Sequence, residues 1–209
     1  SRLPGKVLAE IAGRPMLAHV LERTRAIPGI DRVVLTTPEP DNVVLRDRGP
    51  WGIDAWSPHG PPDVLAGFRR AMSWGFLVDI VVRITGDCPL LDPMLCREVL
   101  DLLLDNDVQY ADNTQTSSFG LDCQAFTRDA LERAYAGATG SEREHVCPWM
   151  EQSSEIEKAH ISLPFPVSAV RWAVDTQDDL DRVRAIYAHL NPGDFSWQAT
   201  LKAAAEAGI

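Results

Sequence analysis

The segment from Val81 to Leu90 constrains the fold of this chain more than any other stretch of similar length. It opens with apolar and β-branched residues typical of a buried strand, and the residues Gly86, Asp87 and Pro89 end that run. A strand of this kind presents the Asp87 carboxylate at its carboxyl end. Open α/β sheets bind their ligands at that edge. The segment therefore predicts an α/β sheet with a functional carboxylate at the end of one strand.

The rest of the chain alternates between strand-like and helix-like apolar periodicity, with short polar breaks. This alternation predicts βα units and a mostly parallel sheet flanked by helices. We expect one domain over residues 1–209, because no internal repeat or change of composition divides the chain. Helices are expected at 15–27, 43–48, 64–72, 93–105, 128–137, 143–152, 178–190 and 197–207, and strands at 31–37, 53–56, 79–85, 108–111, 121–126, 159–163 and 171–174.

Charge and cysteine usage narrow the class of protein. The formal net charge is −10, with 30 Asp and Glu residues, which disfavours binding to nucleic acid or to an anionic membrane surface. No run approaches the ~18 apolar residues of a membrane span, so we expect no membrane partner. The four cysteines, Cys88, Cys96, Cys123 and Cys147, lack C-x-x-C spacing and are expected to be reduced core thiols of a cytoplasmic protein.

The first six residues, Ser1-Arg2-Leu3-Pro4-Gly5-Lys6, combine a glycine, a proline and two cations in one short turn. Such a turn places backbone N–H groups, a guanidinium and an ammonium on a small surface, which suits the triphosphate of a nucleotide. The alternative is an ordinary solvated loop, since short turns of this composition are common.

A second acid, Asp175, follows an apolar segment and precedes a helix, as Asp87 does. Asp175 or Thr176 would serve well as an N-cap, with Asp179 as its capping-box partner, so a purely structural role is one alternative. The other alternative is a metal site. Two strand-end carboxylates at one sheet edge can share Mg²⁺, which takes one or two protein carboxylates together with phosphate oxygens and water.

Six segments in order resemble the cytidylyltransferases that make CMP-activated sugars. This family includes the deoxy-octulosonate and acylneuraminate enzymes, and the spore-coat polysaccharide biosynthesis type is the most similar. The resemblance covers nearly the whole chain. It implies a Rossmann-like, GT-A-like nucleotidyltransferase fold, a homodimer, and magnesium-dependent transfer of CMP from CTP to a small anionic acceptor with release of pyrophosphate. The segments are 1–8, 13–16, 82–93, 120–122, 141–146 and 174–176.

The resemblance assigns roles on the nucleotide side of the site. Arg2 and Lys6 would bind the CTP phosphates, with Lys6, Arg2 and Asp87 as the catalytic residues. The metal ligands would be Asp87 and Asp175. The residues near the nucleoside would be Arg83, Thr85 and Gly86.

On the acceptor side the resemblance implies that Asp122, Glu144 and His145 face a sugar acid. The chain departs from the family here, because Gly67-Phe68 follows Asp63-Val64-Leu65-Ala66 where an Arg is usual, and Ser118-Phe119 replaces a Pro-Asp pair. The identity of the acceptor is therefore left open. A nucleotide-sugar glycosyltransferase of the same fold and a non-catalytic nucleotide-binding protein are the alternatives. The Asp-Cys-Pro sequence at 87–89 lacks the D-x-D pair that a glycosyltransferase would normally carry.

The resemblance also implies a hydrophobic strand upstream of Ser1, central in the sheet. We expect roughly 10–20 further N-terminal residues, from the usual length of a strand and its turn. Segments 31–37 and 79–85 would then be separated by a gap instead of pairing directly.

Overall fold

Helices and strands alternate along the chain, as the apolar periodicity predicts. The computed structural model describes residues 3–46, 51–73, 78–114, 120–161 and 171–209. The helices are α1 (Met16–Arg25), α2 (Glu39–Arg46), α3 (Val64–Met72), α4 (Pro93–Asp105), α5 (Arg128–Gly137), α6 (Ser141–His145), α7 (Pro148–Gln152), α8 (Gln177–Tyr187) and α9 (Trp197–Glu206). The strands are β1 (Glu10–Ile11), β2 (Arg14–Pro15), β3 (Val34–Pro38), β4 (Ala55–His59), β5 (Ile80–Arg83), β6 (Tyr110–Asp112), β7 (Gln124–Thr127) and β8 (Lys158–His160).

The largest sheet contains four strands in the order β5-β7-β6-β8. Strands β6 and β8 are parallel, whereas β7 runs antiparallel to both β5 and β6. Antiparallel pairing suits β6 and β7, since such neighbours need no crossover helix between them. The α/β class is confirmed, with parallel strand pairs flanked by helices.

Side chains on alternate faces of this sheet enter two different cores. Val82, Ala111 and Ala125 face helix α4. On the opposite face, Tyr110 and Phe126 pack with residues of α3, α5 and α7. The sheet is therefore a middle layer, and its strand ends form an edge at which loops from both layers meet.

Strand β3 pairs in parallel with β4, in register from Val34↔Ala55 to Pro38↔His59. Within the described ranges, β3 pairs only with β4 and β5 only with β7. A cavity of about 1220 Å³ is lined by residues of both β3 and β5. This arrangement agrees with the expected gap, and a further strand within it stays a prediction.

Two local differences from the sequence-based expectations affect the site. A short β1–β2 hairpin precedes α1 and was not predicted. Segment 171–174 was expected to be a strand, but it has no strand assignment. Its backbone is joined to the site by a hydrogen bond from the Val174 N–H to the Asp87 carbonyl. Trp172 and Val174 are nevertheless fully buried in the core beneath α8 and α9. The expected strand residues 162 and 163 lie outside the described residues.

The cysteines are core thiols, as expected from the sequence. All four cysteines are buried and free. Among the described residues, no helix is long and apolar enough to cross a bilayer.

Candidate active site

Lys6 joins the two predicted carboxylates. Its ammonium Nζ donates hydrogen bonds to Asp87 Oδ2 at 2.9 Å, to Asp175 Oδ1 at 3.0 Å and to the carbonyl oxygen of Val174 at 2.6 Å. The turn that places it depends on Gly5, whose φ of 71° lies in the left-handed region that glycine adopts without strain. The predicted meeting of Asp87, Asp175 and Lys6 at one edge is therefore found in the geometry.

The Lys6 side chain is only 14% exposed, so its charge depends on its partners. Burial alone would lower its pKa, but the hydrogen bonds and charges of Asp87 and Asp175 outweigh that effect and raise the pKa above its usual value. Lys6 therefore stays an ammonium between the two acids.

Asp87 is presented by a loop that several distant elements fix. Its backbone carbonyl accepts from the N–H of Val174 at 2.9 Å, which ties the loop directly to the segment carrying Asp175. Further along the loop, the Tyr187 hydroxyl donates to the Pro89 carbonyl at 2.6 Å, and the buried Arg23 guanidinium donates to the Leu91 carbonyl at 2.8 Å. These bonds restrict the position of the Asp87 carboxylate before any ligand arrives.

Asp175 is not the N-cap of α8. Thr176 fills that role, because its hydroxyl accepts from the Asp179 N–H and the Asp179 carboxylate accepts from the Thr176 N–H, a complete capping box. The Asp175 carboxylate is thereby left to contact Lys6 and the guanidinium of Arg171. Asp175 therefore does not cap α8. The capping alternative holds for Thr176 with Asp179 as its partner, and a metal-binding role for Asp175 stays a prediction.

Asp179 holds the backbone that carries the Asp175 carboxylate. Burial would raise its pKa, but hydrogen bonds from the backbone of Asp175 and Thr176, the Thr176 hydroxyl and the charge of Arg171 together lower it to about 2. The ionised Asp179 side chain is 6% exposed and holds the backbone of Asp175 at 3.0 Å. Arg171 also bonds Asp179 at 3.2 Å, so one guanidinium serves both acids. Sequence reasoning missed Arg171 as a site residue, and its only signal was its position four residues before Asp175.

The donor set fits a hard divalent cation. Two carboxylate oxygens, one from Asp87 and one from Asp175, converge within 3.0 Å of a single point, now held by Lys6 Nζ. Magnesium commonly takes only one or two protein carboxylates and fills its remaining positions with phosphate oxygens and water. Within the described ranges no group of three or more potential ligands is arranged around a metal position, so a metal here would depend on the substrate for further ligands.

Asp122 lies next to the Asp87 loop. The pKa of the buried Cys88 thiol is raised by burial first and then by the nearby charges of Asp87 and Asp122. The backbone around Asp122 is fixed by Asn113, whose side chain donates to the Leu121 carbonyl at 3.0 Å and accepts from the Cys123 N–H at 2.8 Å. Leu121 packs in one core with Leu90 and Val174, so the segments that carry Asp122, Asp87 and Asp175 lie against each other.

Gly120 allows the Gly-Leu-Asp segment to lie close to Trp172 and Ala173. A Cβ at this position would overlap the backbone of Trp172 and Ala173, and its φ of 109° also favours glycine. The Gly-Leu-Asp segment can thus lie directly against the segment that carries Asp175.

Glu144 and His145 are exposed at the end of α6. Helix α6 is held by Arg143, which donates to Asp63 Oδ2 at 2.7 and 3.1 Å. This bond joins α6 to the residue that caps α3, and the role of Glu144 and His145 toward an acceptor stays a prediction.

The expected nucleoside-side residues occupy the same sheet edge. Arg83 ends β5 and donates to Gln124 Oε1 at 2.7 Å, and the Thr85 hydroxyl contacts the Cys88 sulfur at 2.9 Å. A Cβ on Gly86 would meet only Val7, at 3.8 Å, so this part of the loop faces the turn that carries Lys6. Arg2 lies outside the described residues.

The α/β fold and the cluster of Lys6, Asp87 and Asp175 near the end of β5 are those expected of a nucleotidyltransferase. The sequence model of the family described as Cytidylyltransferase matches residues 1–178. The chain is 30% identical over 240 aligned positions to the 3-deoxy-manno-octulosonate cytidylyltransferase of Yersinia pseudotuberculosis, an alignment that covers 89% of this chain and 93% of that enzyme. The chain belongs to the cytidylyltransferase family, and it is a nucleotidyltransferase enzyme.

Solved structures agree on the fold. A cytidylyltransferase from Leptospira borgpetersenii superposes with a TM-score of 0.89 at 24% identity, covering 100% of this chain and 90% of that one. A CMP:2-keto-3-deoxy-manno-octonic acid synthetase complexed with CTP superposes with a TM-score of 0.61 at 21% identity, covering 90% of this chain and 93% of that one. The resemblance to CMP-sugar cytidylyltransferases is thereby confirmed.

Proposed function

We propose that this protein transfers CMP from CTP to a sugar acid, or a similar small anionic acceptor, in a magnesium-dependent reaction that releases pyrophosphate. The observation that carries the proposal is the convergence of Asp87 and Asp175 on Lys6 at the strand-end edge. A protein with a net charge of −10 needs local positive charge to accept a triphosphate, and Lys6 together with a metal ion held by the two carboxylates would supply it.

In the proposed reaction an acceptor oxygen attacks the α-phosphorus of CTP, and pyrophosphate leaves on the opposite side. Lys6 contributes its positive charge to the phosphates, together with Arg2 of the same turn. The rigid Asp87 and Asp175 loops fix the geometry in advance, and positioning of this kind supplies much of the rate enhancement in such reactions. Bound magnesium would neutralise charge that develops on the phosphate oxygens.

Lys6 must exchange partners for this reaction to proceed. Its three donors are engaged by Asp87, Asp175 and Val174 in the free protein. A divalent cation between the carboxylates would replace the ammonium there, and Lys6 would then be released toward the phosphates. The ammonium relieves part of the repulsion between the two acids in the free protein, and a bound divalent cation would relieve it after the exchange.

The acceptor would bind beside Asp122, Glu144 and His145. The nucleoside would lie near Arg83, Thr85 and Gly86. The packing of Gly120 and Leu121 against the segment that carries Asp175 supports the acceptor side of this proposal. We further propose a homodimer working in polysaccharide biosynthesis in the cytoplasm. The four free buried thiols are consistent with a reducing compartment, and sedimentation equilibrium would test the dimer.

A pyrophosphate-release assay across the four nucleoside triphosphates, with and without sugar acids, tests the proposed function. We expect release with CTP and an acid only, and loss of release when EDTA removes divalent cations. Turnover of a nucleotide sugar without pyrophosphate would favour the glycosyltransferase alternative. Tight CTP binding without any turnover would favour the non-catalytic alternative.

A further inference from the structure

Four polar residues form one row across the four-stranded sheet. Arg83 of β5 is in register with Gln124 of β7, Gln124 with Asp112 of β6, and Asp112 with His160 of β8. Each lies at a strand terminus, so this is the last row of the sheet at the edge that leads to Asp87. Residues in register project to the same face. The adjacent row, Val82, Ala125, Ala111 and Ala159, is apolar, so the chemistry changes at this edge.

Within the row, the buried Gln124 bonds Arg83 and the buried Asp112 bonds His160. Arg83 and His160 are more exposed than the residues that bond them. The Gln124 amide oxygen accepts from Arg83 at 2.7 Å, and the Asp112 carboxylate accepts from His160 Nδ1 at 3.0 Å. Gln124 is 6% exposed and the Asp112 side chain 1%, whereas the His160 side chain is 29% exposed. Burial of a carboxylate at a sheet edge is unfavourable unless its oxygens are bonded.

Asp112 is fully committed to its neighbours. Its Oδ1 accepts from both the N–H and the hydroxyl of Thr114 at 2.9 Å, and its Oδ2 accepts from His160. Since an ionised carboxylate only accepts hydrogen bonds, the His160 proton lies on Nδ1. The Nε2 atom is then available on the other side of the ring, and in the described part of the chain no hydrogen bond to it is found.

The row extends away from the reacting centre. Three strand spacings of ~4.8 Å place the His160 backbone about 14 Å from that of Arg83. Asp122 precedes Gln124 by two residues, and its neighbour Leu121 packs in one core with Leu90 and Val174, so the row continues the space proposed for the acceptor.

We propose that His160, oriented by Asp112, binds a hydroxyl group of the acceptor far from the reacting oxygen. The ligand class is an acid with a polyhydroxylated chain long enough to reach along the row. The bond from Nδ1 to Asp112 orients the ring so that its Nε2 atom hydrogen-bonds the hydroxyl group, and Asp112 acts as a positioning residue. This inference rests on the proposed function, because that function identifies the site as one for an acceptor. The spectroscopic test below does not require turnover.

The kinetic test uses His160→Phe, which keeps a planar ring and removes the hydrogen bond. Its matched control is His189→Phe, since His189 is exposed on α8's side of the molecule and pairs only distantly with Glu206, at 3.8 Å. The acids are 3-deoxy-manno-octulosonate, N-acetylneuraminate and the six-carbon 2-keto-3-deoxygluconate. We expect His160→Phe to raise KM about 3- to 10-fold for the two longer acids, the loss of one hydrogen bond. The KM for CTP, kcat and the KM for the six-carbon acid should change less than twofold.

A second measurement does not need turnover. Long-range ¹H–¹⁵N spectra of the imidazoles should show His160 as the Nδ1–H tautomer, and the two longer acids should shift its Nε2 signal at saturation. Asp112→Asn should weaken the tautomer preference, and His160→Gln, which retains an acceptor atom, should recover part of the KM loss.

The outcomes are separable. Pyrophosphate release with equal kinetics for His160→Phe and His189→Phe overturns this inference and leaves the proposed function intact. Absence of release with every nucleotide and acid overturns the proposed function, and the spectra then decide the inference. An Nε2 signal that neither longer acid shifts overturns it in either case.

Discussion

Two edges of the strand layer differ in how they are held. At the site edge, the Asp87 and Asp175 segments are joined by a backbone hydrogen bond and by the Lys6 ammonium, over a core that contains Trp172 and Val174. At the gap between β3 and β5, two strand edges face a cavity of about 1220 Å³ instead of each other. The chemistry-bearing loops thus depend on caps and side-chain bonds, and they do not depend on pairing across the gap.

The comparison predicts that the site can be disabled without unfolding the chain. We expect Asp87→Asn and Asp175→Asn each to lower kcat by at least about 100-fold, the usual scale for loss of a preorganised electrostatic group. Pyrophosphate release measures the effect, and thermal unfolding checks the fold. Asp181→Asn is the control, because Asp181 is an exposed carboxylate on α8 that bonds Arg184 and Gln177. Near-normal turnover in either variant would contradict the site.

Removing the Lys6 charge should change two affinities in opposite directions. Lys6→Met is expected to weaken CTP binding by about 1–3 kcal/mol, the range for a charge-assisted hydrogen bond. The same variant should bind Mn²⁺ more tightly without nucleotide, since the ammonium no longer competes for the carboxylates. Isothermal titration measures both, with the exposed Lys202→Met as control. Unchanged Mn²⁺ affinity would mean that Lys6 does not occupy the cation position.

These expectations also show what could be predicted from the sequence. The meeting of Asp87, Asp175 and Lys6 was predicted from two strand-then-acid patterns. Segment 171–174 is not a strand, however, and Asp175 is brought to Asp87 by the bond from the Val174 N–H to the Asp87 carbonyl. The Asp112–His160 pair was not, since it depends on the register of β6 and β8 across residues that are distant in sequence. Whether Asp175 or Thr176 caps α8 was ambiguous for another reason. Both residue types are good caps, and only the geometry separates them.

Hydrogen exchange tests the gap between β3 and β5. Amides of β3 and β5 that are not bonded to β4 or β7 should exchange within minutes, whereas the amides between β6 and β7 should be protected. Slow exchange of the gap-facing amides would contradict the gap.

The support beneath Asp175 should fail in acid. The pKa of Asp179 is lowered to about 2, so its stabilising contribution is complete above the unfolded pKa of ~3.9 and is lost as the pH falls through 2. The lowered pKa corresponds to roughly 2 kcal/mol of unfolding free energy. Urea unfolding of the wild type and of Asp179→Asn at pH 7, 4 and 2 measures it. Equal pH dependence in the two proteins would contradict this role.

The smallest expected effect separates capping from chemistry. Thr176→Ala should cost about 0.5–2 kcal/mol of stability, as for the loss of an N-cap, with kcat changed by less than a few-fold. Urea unfolding and pyrophosphate release provide the two values. A loss of turnover as large as that of Asp175→Asn, with the fold intact, would show that the cap and the carboxylate are not separate functions.

The central claim is that Asp87 and Asp175 act as one unit, and a double-mutant cycle in pyrophosphate release tests it most directly. Groups that share a task are strongly non-additive, because the loss of one removes most of what the other contributes. We predict that the double variant Asp87→Asn/Asp175→Asn turns over CTP nearly as fast as the slower single variant. Losses that multiply, so that the double variant falls by the product of the two single effects, would show that the carboxylates act independently and would contradict a shared site.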